Sequence, residues 1–355
     1  MNKEWIATYR LQLNRDFPLA AAAGVLPYLK KLGISHVYLS PCLQAVPGST
    51  HGYDVTNPQR ISGDIGGEEG WGLFSEAART QGLGVLMDIV PNHMAVSTDN
   101  AWWEDVLANG PYSRFAGFFD IFDNPRQGAW TLHIAPLGTN PEELLRDGEF
   151  EVVWDGGAVP RLVCGSLSWP LGIQSGELLL TDAADGEREI FQELMDLRRN
   201  PAPGAEDRER WSKLRAAGWE VLRRNAGKIR TSFSPDEVSA VLAGQFYRLH
   251  HWEAAGEHQN FRRFFDVNTL VGMKMEDADV FEACHARILQ CIRNGEIDGL
   301  RVDHPDGLLD PRDYLQKLRD IFPRGRIYVE KILTGEEKLS PGWPVDGTVG
   351  YEFLN

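Results

Sequence analysis

Three short segments of this chain, made mostly of apolar residues, are strand-like, and each segment ends in an acidic residue. The segments cover residues 84–88, 300–303 and 327–330. Because successive side chains of a β-strand point to opposite faces, Arg301 and Asp303 fall on one face of the second segment. Asp88 and Glu330 close the other two segments in the same way. The pattern predicts three β-strands that each carry a carboxylate at the carboxyl end.

The chemistry of these acids depends on how the strands are arranged. If the strands are parallel neighbours, their carboxyl ends lie along one edge of a sheet, where barrel enzymes hold their active sites. Asp88, Asp303, Glu330 and Arg301 would then converge at that edge. Two close carboxylates in different environments are the usual means of breaking and remaking a glycosidic bond.

The surrounding segments alternate between strand and helix patterns. In the first hundred residues the predicted strands cover residues 6–13, 36–39 and 85–90, and the predicted helices cover residues 19–32 and 67–81. After residue 276 the predicted elements are a helix at 277–294, a strand at 300–303, a helix that begins at Asp310 as its N-cap, a strand at 327–332 and a last segment at 347–354. Such alternation predicts parallel βαβ units.

The alternation is interrupted for about 160 residues, which is far longer than an ordinary loop. We expect an inserted subdomain that contains strands at 150–154 and 161–164 and a helix at 205–225. The fold class is therefore α/β of the (β/α)8 TIM-barrel type, incomplete because about six strands are present where a barrel has eight. The predicted domains are a first barrel part at 1–95, the subdomain at 96–260 and a continued barrel at 261–355. We expect the chain to be the N-terminal part of a longer protein.

The composition is that of a globular protein with an acidic surface. Apolar residues make up 43% of the chain and charged residues 25%. The formal charge is −15, from 36 basic and 51 acidic residues. We expect no nucleic-acid or membrane partner, because such a surface repels both, whereas a neutral sugar suits it. Solubility alone explains the charge equally well.

The cysteines and the first residues both favour the cytoplasm. The four cysteines lack the spacing of a metal site, so free thiols in a reducing compartment are expected. The sequence has no apolar run of signal-peptide length at its start and no stretch that could span a membrane. Eleven tryptophans suit stacking on sugar rings as well as core packing.

Three motifs at the predicted strand ends resemble signatures of the α-amylase superfamily. Residues 88–93 read Asp-Ile-Val-Pro-Asn-His, residues 300–304 read Leu-Arg-Val-Asp-His, and residues 329–332 read Val-Glu-Lys-Ile. Three matches in the correct order and strand phase are far more specific than any single one. The insertion after the third predicted strand lies where that superfamily carries its B domain.

Further motifs are similar to those of the maltooligosyltrehalose synthase family and extend over nearly the whole chain. They lie at residues 9–13, 47–54, 260–266, 303–307 and 347–351. The resemblance implies rearrangement of the reducing-end α-1,4 link of a maltooligosaccharide into an α,α-1,1 link, without a cofactor or a metal. Two departures are visible, since Phe261 stands where tyrosine is expected and Glu352 stands where aspartate is expected.

The resemblance also implies roles for the charged residues. Asp303 would be the nucleophile, and Glu330 would be the general acid and then the base. Arg301 would keep Asp303 ionised, and Asp88 would hold Arg301. Retention of the α-configuration requires two inversions, and hence carboxyl groups about 5 Å apart.

A second group of residues would bind the sugar rather than react with it. His93 would bond a hydroxyl of the transferred sugar, and Tyr53 would stack beneath its ring. The other members of this group are Asp54, Asn92 and His304. The expected partner is a maltooligosaccharide, and the sequence gives no oligomeric state.

Other interpretations remain open for single residues and for the whole chain. Arg301 and Asp303 alone could be a structural ion pair, and His93 alone could be a packing histidine. His51, His250 and His251 suggest a metal only weakly, because no carboxylate spacing accompanies them. Two other functions are an α-amylase-type retaining hydrolase and a non-catalytic glucan-binding fragment, since the superfamily's third aspartate is expected beyond residue 355. Without that aspartate, the 355 residues alone are expected to be inactive or nearly so.

Overall fold

The strands and helices of the chain are given by a computed structural model that describes residues 4–122, 129–154, 159–200, 202–230 and 232–350. The strands are β1 (Thr8–Leu11), β2 (His36–Leu39), β3 (Leu43–Ala45), β4 (Val55–Ile61), β5 (Gly84–Ile89), β6 (His93–Ala95), β7 (Leu132–Leu137), β8 (Phe150–Val153), β9 (Arg161–Cys164), β10 (Leu167–Pro170), β11 (Tyr247–His251), β12 (Arg263–Phe264), β13 (Val267–Gly272), β14 (Gly299–Val302), β15 (Arg326–Val329) and β16 (Gly347–Thr348). The helices are α1 (Leu19–Lys31), α2 (Gly67–Thr80), α3 (Ala101–Asn109), α4 (Pro141–Arg146), α5 (Gly176–Leu179), α6 (Asp185–Arg198), α7 (Ala205–Arg224), α8 (Pro235–Ala243), α9 (Ala255–His258), α10 (Ala278–Arg293) and α11 (Pro311–Ile321). Within the described ranges, none of these helices combines the length and the apolar character that a membrane crossing requires.

The chain forms two compact units. One unit consists of residues 1–95 and 270–355, and the other consists of residues 96–269. The sequence placed the return to barrel elements at residue 261, whereas the first unit resumes at residue 270.

The first unit contains a parallel sheet of six strands in the order β1, β2, β5, β14, β15, β16. The predicted βαβ alternation is confirmed, because every neighbouring pair in this sheet is parallel. The register places Arg301 of β14 directly opposite Asp88 of β5 on one side and Tyr328 of β15 on the other. This sheet is that of an incomplete (β/α)8 barrel.

The helices of the first unit cover the sheet with apolar stripes. Helix α1 buries Leu19, Ala22, Leu26 and Leu29, the helical spacing that the sequence displays. Helix α11 begins as predicted, because the Asp310 side chain accepts a hydrogen bond from the backbone N–H of Asp313 at 2.9 Å. All four cysteines are free, as predicted, and three of them are buried while Cys164 is half-buried.

The second unit contains small sheets of two or three short strands in place of the six-stranded parallel sheet of the first unit. Strands β8, β9 and β10 form an antiparallel sheet, and β7 and β11 form a parallel pair. The predicted strands at 150–154 and 161–164 are β8 and β9, and the predicted helix at 205–225 is α7. In this unit Arg161 is bound to Glu104 at 2.7 Å, and the rings of Tyr112 and Trp211 stack at 4.3 Å.

The last predicted segment, at 347–354, is described only in part. Strand β16 pairs with β15, and Val349 continues the ladder by donating to the carbonyl of Val329 at 2.8 Å. Tyr351, which ends the motif at 347–351, and Glu352, which departs from the family pattern, lie outside the described residues.

Candidate active site

Two adjacent strands of the parallel sheet each present a carboxylate at the residue that follows the strand. Asp303 follows β14, and its backbone N–H donates to the carbonyl of Ile89 at 2.9 Å. Glu330 follows β15, and its backbone N–H donates to the carbonyl of Val302 at 2.9 Å. The backbone hydrogen bonds between the strands therefore extend to both acids and hold the backbone of Asp303 and Glu330 in place.

The guanidinium group of Arg301 contacts three carboxyl groups. Its Nη1 donates to Asp88 Oδ1 at 2.8 Å and to Asp303 Oδ1 at 2.6 Å. Its Nη2 lies 3.3 Å from Glu330 Oε1. The Arg301, Asp88 and Asp303 side chains are almost completely buried, whereas the Glu330 side chain is 36% exposed. One buried cation thus gathers three acids, and the most accessible of them is Glu330.

The protonation of this cluster follows from its charges. Burial, together with the nearby Asp88 and Glu330 carboxylates, raises the pKa of Asp303 to about 8 against the opposing effect of Arg301. Burial also raises the pKa of Glu330, but Arg301, a hydrogen bond with Asp303 and the N–H of His304 together hold it below its usual value. Because the pKa of Asp303 is raised to about 8 and that of Glu330 is held below its usual value, the two acids together hold one proton at neutral pH.

Asp88 is held by three further donors. Its Oδ2 accepts hydrogen bonds from the hydroxyl of Tyr53 at 2.6 Å, the hydroxyl of Tyr38 at 3.0 Å and Nη1 of Arg10 at 3.4 Å. Burial raises the pKa of Asp88, while Arg301, Tyr53 and Arg10 oppose the rise. Asp88 therefore contacts Arg301, as the family resemblance implies, and it has three further partners that the sequence does not indicate.

Tyr38 and Arg10 are members of the cluster that sequence reasoning missed. Arg10 stands opposite Tyr38 in the register of β1 and β2, and its guanidinium lies 4.6 Å from the centre of the Tyr38 ring. Arg10 belongs to a motif that the sequence analysis singled out, so a signal existed for it. For Tyr38 the only signal was an aromatic residue on the strand next to β5.

Of the other predicted binding residues, Asn92 and His93 lie together, whereas Asp54 has a different partner. Asn92 and His93 are both buried, and Asn92 Nδ2 lies 3.2 Å from His93 Nδ1. A Cβ at Gly307 would meet Asn92 Oδ1 at 2.4 Å, so the loop after Asp303 approaches Asn92 closely only because residue 307 is glycine. Asp54 is turned to a different partner, since its Oδ1 accepts a hydrogen bond from the Ser49 hydroxyl at 2.5 Å.

His51, His250 and His251, the weak metal candidates, form no metal site with other side chains of the described ranges. Among the residues that the structure describes, no group of three or more histidine, cysteine, aspartate or glutamate side chains is arranged to hold a metal ion. His250 instead lies against His133, with Nε2 and Nδ1 2.9 Å apart.

Known proteins share both the sequence and the fold of this chain. The model of the α-amylase catalytic domain matches residues 21–143. A Mycobacterium tuberculosis protein that carries the name maltooligosyl trehalose synthase is 36% identical over 357 aligned positions, which cover 98% of this chain and 37% of that protein. The solved structure of maltooligosyltrehalose synthase from Arthrobacter ramosus is similar with a TM-score of 0.75 at 36% identity, over 98% of this chain and 37% of that one.

A second solved structure supports the same relationship. The hypothetical maltooligosyl trehalose synthase of Sulfolobus tokodaii is similar with a TM-score of 0.71 at 31% identity, over 99% of this chain and 39% of that one. The chain thus spans less than half the length of the relatives that it matches. Because the similarity of sequence and fold extends over 98% of this chain, the chain belongs to the maltooligosyltrehalose synthase family of the α-amylase superfamily.

Proposed function

We propose that the protein containing these residues converts the reducing-end α-1,4 linkage of a maltooligosaccharide into an α,α-1,1 linkage by intramolecular transglucosylation. Asp303 is the nucleophile and Glu330 is the general acid and base. Support comes from the cluster at the carboxyl ends of β14 and β15 together with the family relationship. The reaction leaves a non-reducing maltooligosyltrehalose with the mass of its substrate.

The observation that carries this proposal is the contact of Arg301 with both acids. Asp303 Oδ1 and Glu330 Oε1 lie 2.6 Å and 3.3 Å from nitrogens of one guanidinium group. A retaining mechanism needs two carboxyl groups close enough to serve the same bond, whereas an inverting mechanism needs space between them for a water molecule. The contact of both acids with the same guanidinium group favours the retaining arrangement.

The first step breaks the glycosidic bond. When the pair's proton lies on Glu330, the ionised Asp303 attacks the anomeric carbon of the penultimate glucose unit. The bond from that carbon to the O4 oxygen of the last glucose breaks, and O4 takes the proton of Glu330. An ester between Asp303 and the shortened chain and one free glucose result. Arg301 stabilises Asp303 in its ionised form through charge-assisted hydrogen bonds.

The second step forms the new bond. Glu330, now ionised, accepts the proton of the anomeric hydroxyl of the released glucose. That oxygen attacks the anomeric carbon of the ester, and the carbon–oxygen bond to Asp303 breaks. Two inversions give net retention at the transferred sugar. The enzyme ends with the pair's single proton on Glu330, the state from which the first step starts, so no cofactor is consumed.

Incubation of the full-length protein with maltopentaose tests the proposal. We expect a product of unchanged mass that has lost its reducing end, which chromatography, mass spectrometry and a reducing-sugar assay together detect. Glucose and maltose as the main products would instead identify an α-amylase-type hydrolase. Unchanged maltopentaose, recovered after incubation with folded protein, would identify a glucan-binding protein without catalysis.

A further inference from the structure

The loop that follows Asp303 has a backbone conformation that is rare for a residue with a side chain. His304 adopts a φ of 43°, in the left-handed region. In this conformation its backbone N–H points to Glu330 and donates to Oε2 at 3.0 Å. Backbone strain of this kind persists only where surrounding contacts hold it, and such strain concentrates at functional sites. The residue after one acid therefore binds the other acid.

An ion pair between Lys331 and Asp306 is a second contact between the loops that follow β14 and β15. Lys331, which follows Glu330, donates from Nζ to Asp306 Oδ2 at 2.9 Å. Lys331 also lies 3.4 Å from Glu337 Oε1, so one ammonium group connects the loops after β14 and β15. The Lys331 side chain is 19% exposed and that of Asp306 is 47% exposed.

The hydrogen bond from His304 to Glu330 and the ion pair of Lys331 with Asp306 are close together along the chain. Asp306 lies two residues after His304 in a short turn, Pro305–Gly307, and Lys331 is bonded covalently to Glu330. The ion pair between Lys331 and Asp306 connects this turn to the residue after Glu330, next to the hydrogen bond from the His304 N–H to Glu330. If the ion pair is broken, the left-handed residue can relax toward an ordinary conformation and release its hydrogen bond.

From these contacts we propose that Asp306 and Lys331 are positioning residues, whose ion pair keeps the His304 N–H on Glu330 and thereby orients the general acid. A partly exposed ion pair contributes little to folding stability, so a large effect of its loss on catalysis would reflect positioning. The inference rests on the proposed roles of Glu330 and Asp303.

Substrates that differ in their need for an acid can separate positioning from folding. Cleavage of maltopentaose needs a proton on the departing O4, whereas α-maltosyl fluoride releases fluoride without protonation. In the full-length protein, Lys331→Met and Asp306→Asn should each slow maltopentaose turnover by about tenfold or more, which is part of what general acid catalysis contributes. The rate of fluoride release in the first turnover should change by no more than about twofold, because that step does not use the acid.

Matched variants complete the experiment. Lys317→Met breaks a comparable ion pair, of 2.8 Å with Asp313 on α11, and should leave both substrates unaffected. Lys331→Arg retains the charge and should recover most of the maltopentaose activity. Equal losses on both substrates, or no loss on either, would overturn the positioning role while leaving the proposed function intact. A parent protein that turns over neither substrate would refute the proposed function, and the positioning role would fall with it.

Discussion

At the scale of single residues, the charges of the cluster do not cancel. Arg301 meets Asp88, Asp303 and Glu330, and the partly exposed Arg10 adds a weaker contact with Asp88. Buried charge is costly unless it is paired, so one of the acids retains a proton instead. A retaining glycosidase needs this state, with one carboxylate and one carboxylic acid facing the same bond.

The raised pKa of Asp303 makes stability depend on pH. An unfolded aspartate loses its proton near pH 4, whereas folded Asp303 keeps its proton until about pH 8. Between these values the folded state binds more protons than the unfolded state, so this group's contribution to stability falls as pH rises, and above pH 8 it is lost. Asp303→Asn removes the titration. We expect the variant to gain stability relative to the parent between pH 5 and pH 8, by at most about 1.4 kcal/mol per pH unit.

Urea denaturation at pH 5, 6.5 and 8 measures this difference. Glu209→Gln is a suitable control, because Glu209 is an exposed acid on α7 whose pKa the Lys213 ammonium holds below its usual value. This group is ionised in both the folded and the unfolded state over this range, so the stability of the variant relative to the parent should hardly change with pH. A constant difference between Asp303→Asn and the parent across these pH values would show that Asp303 is already ionised in the folded protein.

Residue-level prediction succeeded where strand alternation decides the answer. Alternation alone placed Arg301 and Asp303 on one face, and in the structure they contact each other at 2.6 Å. It could not reveal that Tyr38 and Arg10 bind Asp88, because that depends on the register between strands and on side-chain length. The left-handed backbone of His304 has no signal in a pattern of apolar and polar positions.

At the scale of elements, helix α11 shows how a local signal fixes a boundary. The Asp310 side chain satisfies the free N–H of Asp313, and Pro311 occupies the first turn, where a missing N–H costs nothing. Asp310→Ala should therefore destabilise the protein by about 1 kcal/mol in denaturant unfolding. Asp310→Ser keeps an oxygen at the cap and should stay within a few tenths of the parent. If both substitutions cost the same, the cap is not the source of stability.

The ends of the strands were predicted less accurately than their centres. The pattern predicted a strand over residues 6–13, whereas β1 covers Thr8–Leu11. The difference has a physical cause, since the backbone N–H groups of Ile6 and Ala7 donate to the Ser35 hydroxyl, and that of Leu13 donates to the Ser40 hydroxyl. Side-chain acceptors replace ladder partners there, and apolar periodicity cannot detect such a replacement.

At the scale of the whole molecule, the order of the elements was predictable and the interior of the second unit was not. The βα rhythm indicates a parallel sheet from the sequence alone, because each strand and helix repeats the same local pattern. In the second unit, His133 and His250 come together although they are 117 residues apart in the chain. Phe261, where the family pattern has tyrosine, is buried with its ring 5.5 Å from that of Trp103. No local signal predicts such contacts.

The most direct test of the account asks which residue carries the sugar. Glu330→Gln in the full-length protein lacks the base for the second step, so α-maltosyl fluoride should release fluoride and leave the sugar attached to the enzyme. We expect one maltosyl ester on Asp303 by mass spectrometry of peptides, whereas Glu76→Gln, at an exposed acid on α2, should turn over without such accumulation. Fluoride release with the ester on a different residue, or with no ester at all, would contradict a mechanism in which Asp303 and Glu330 act on one bond.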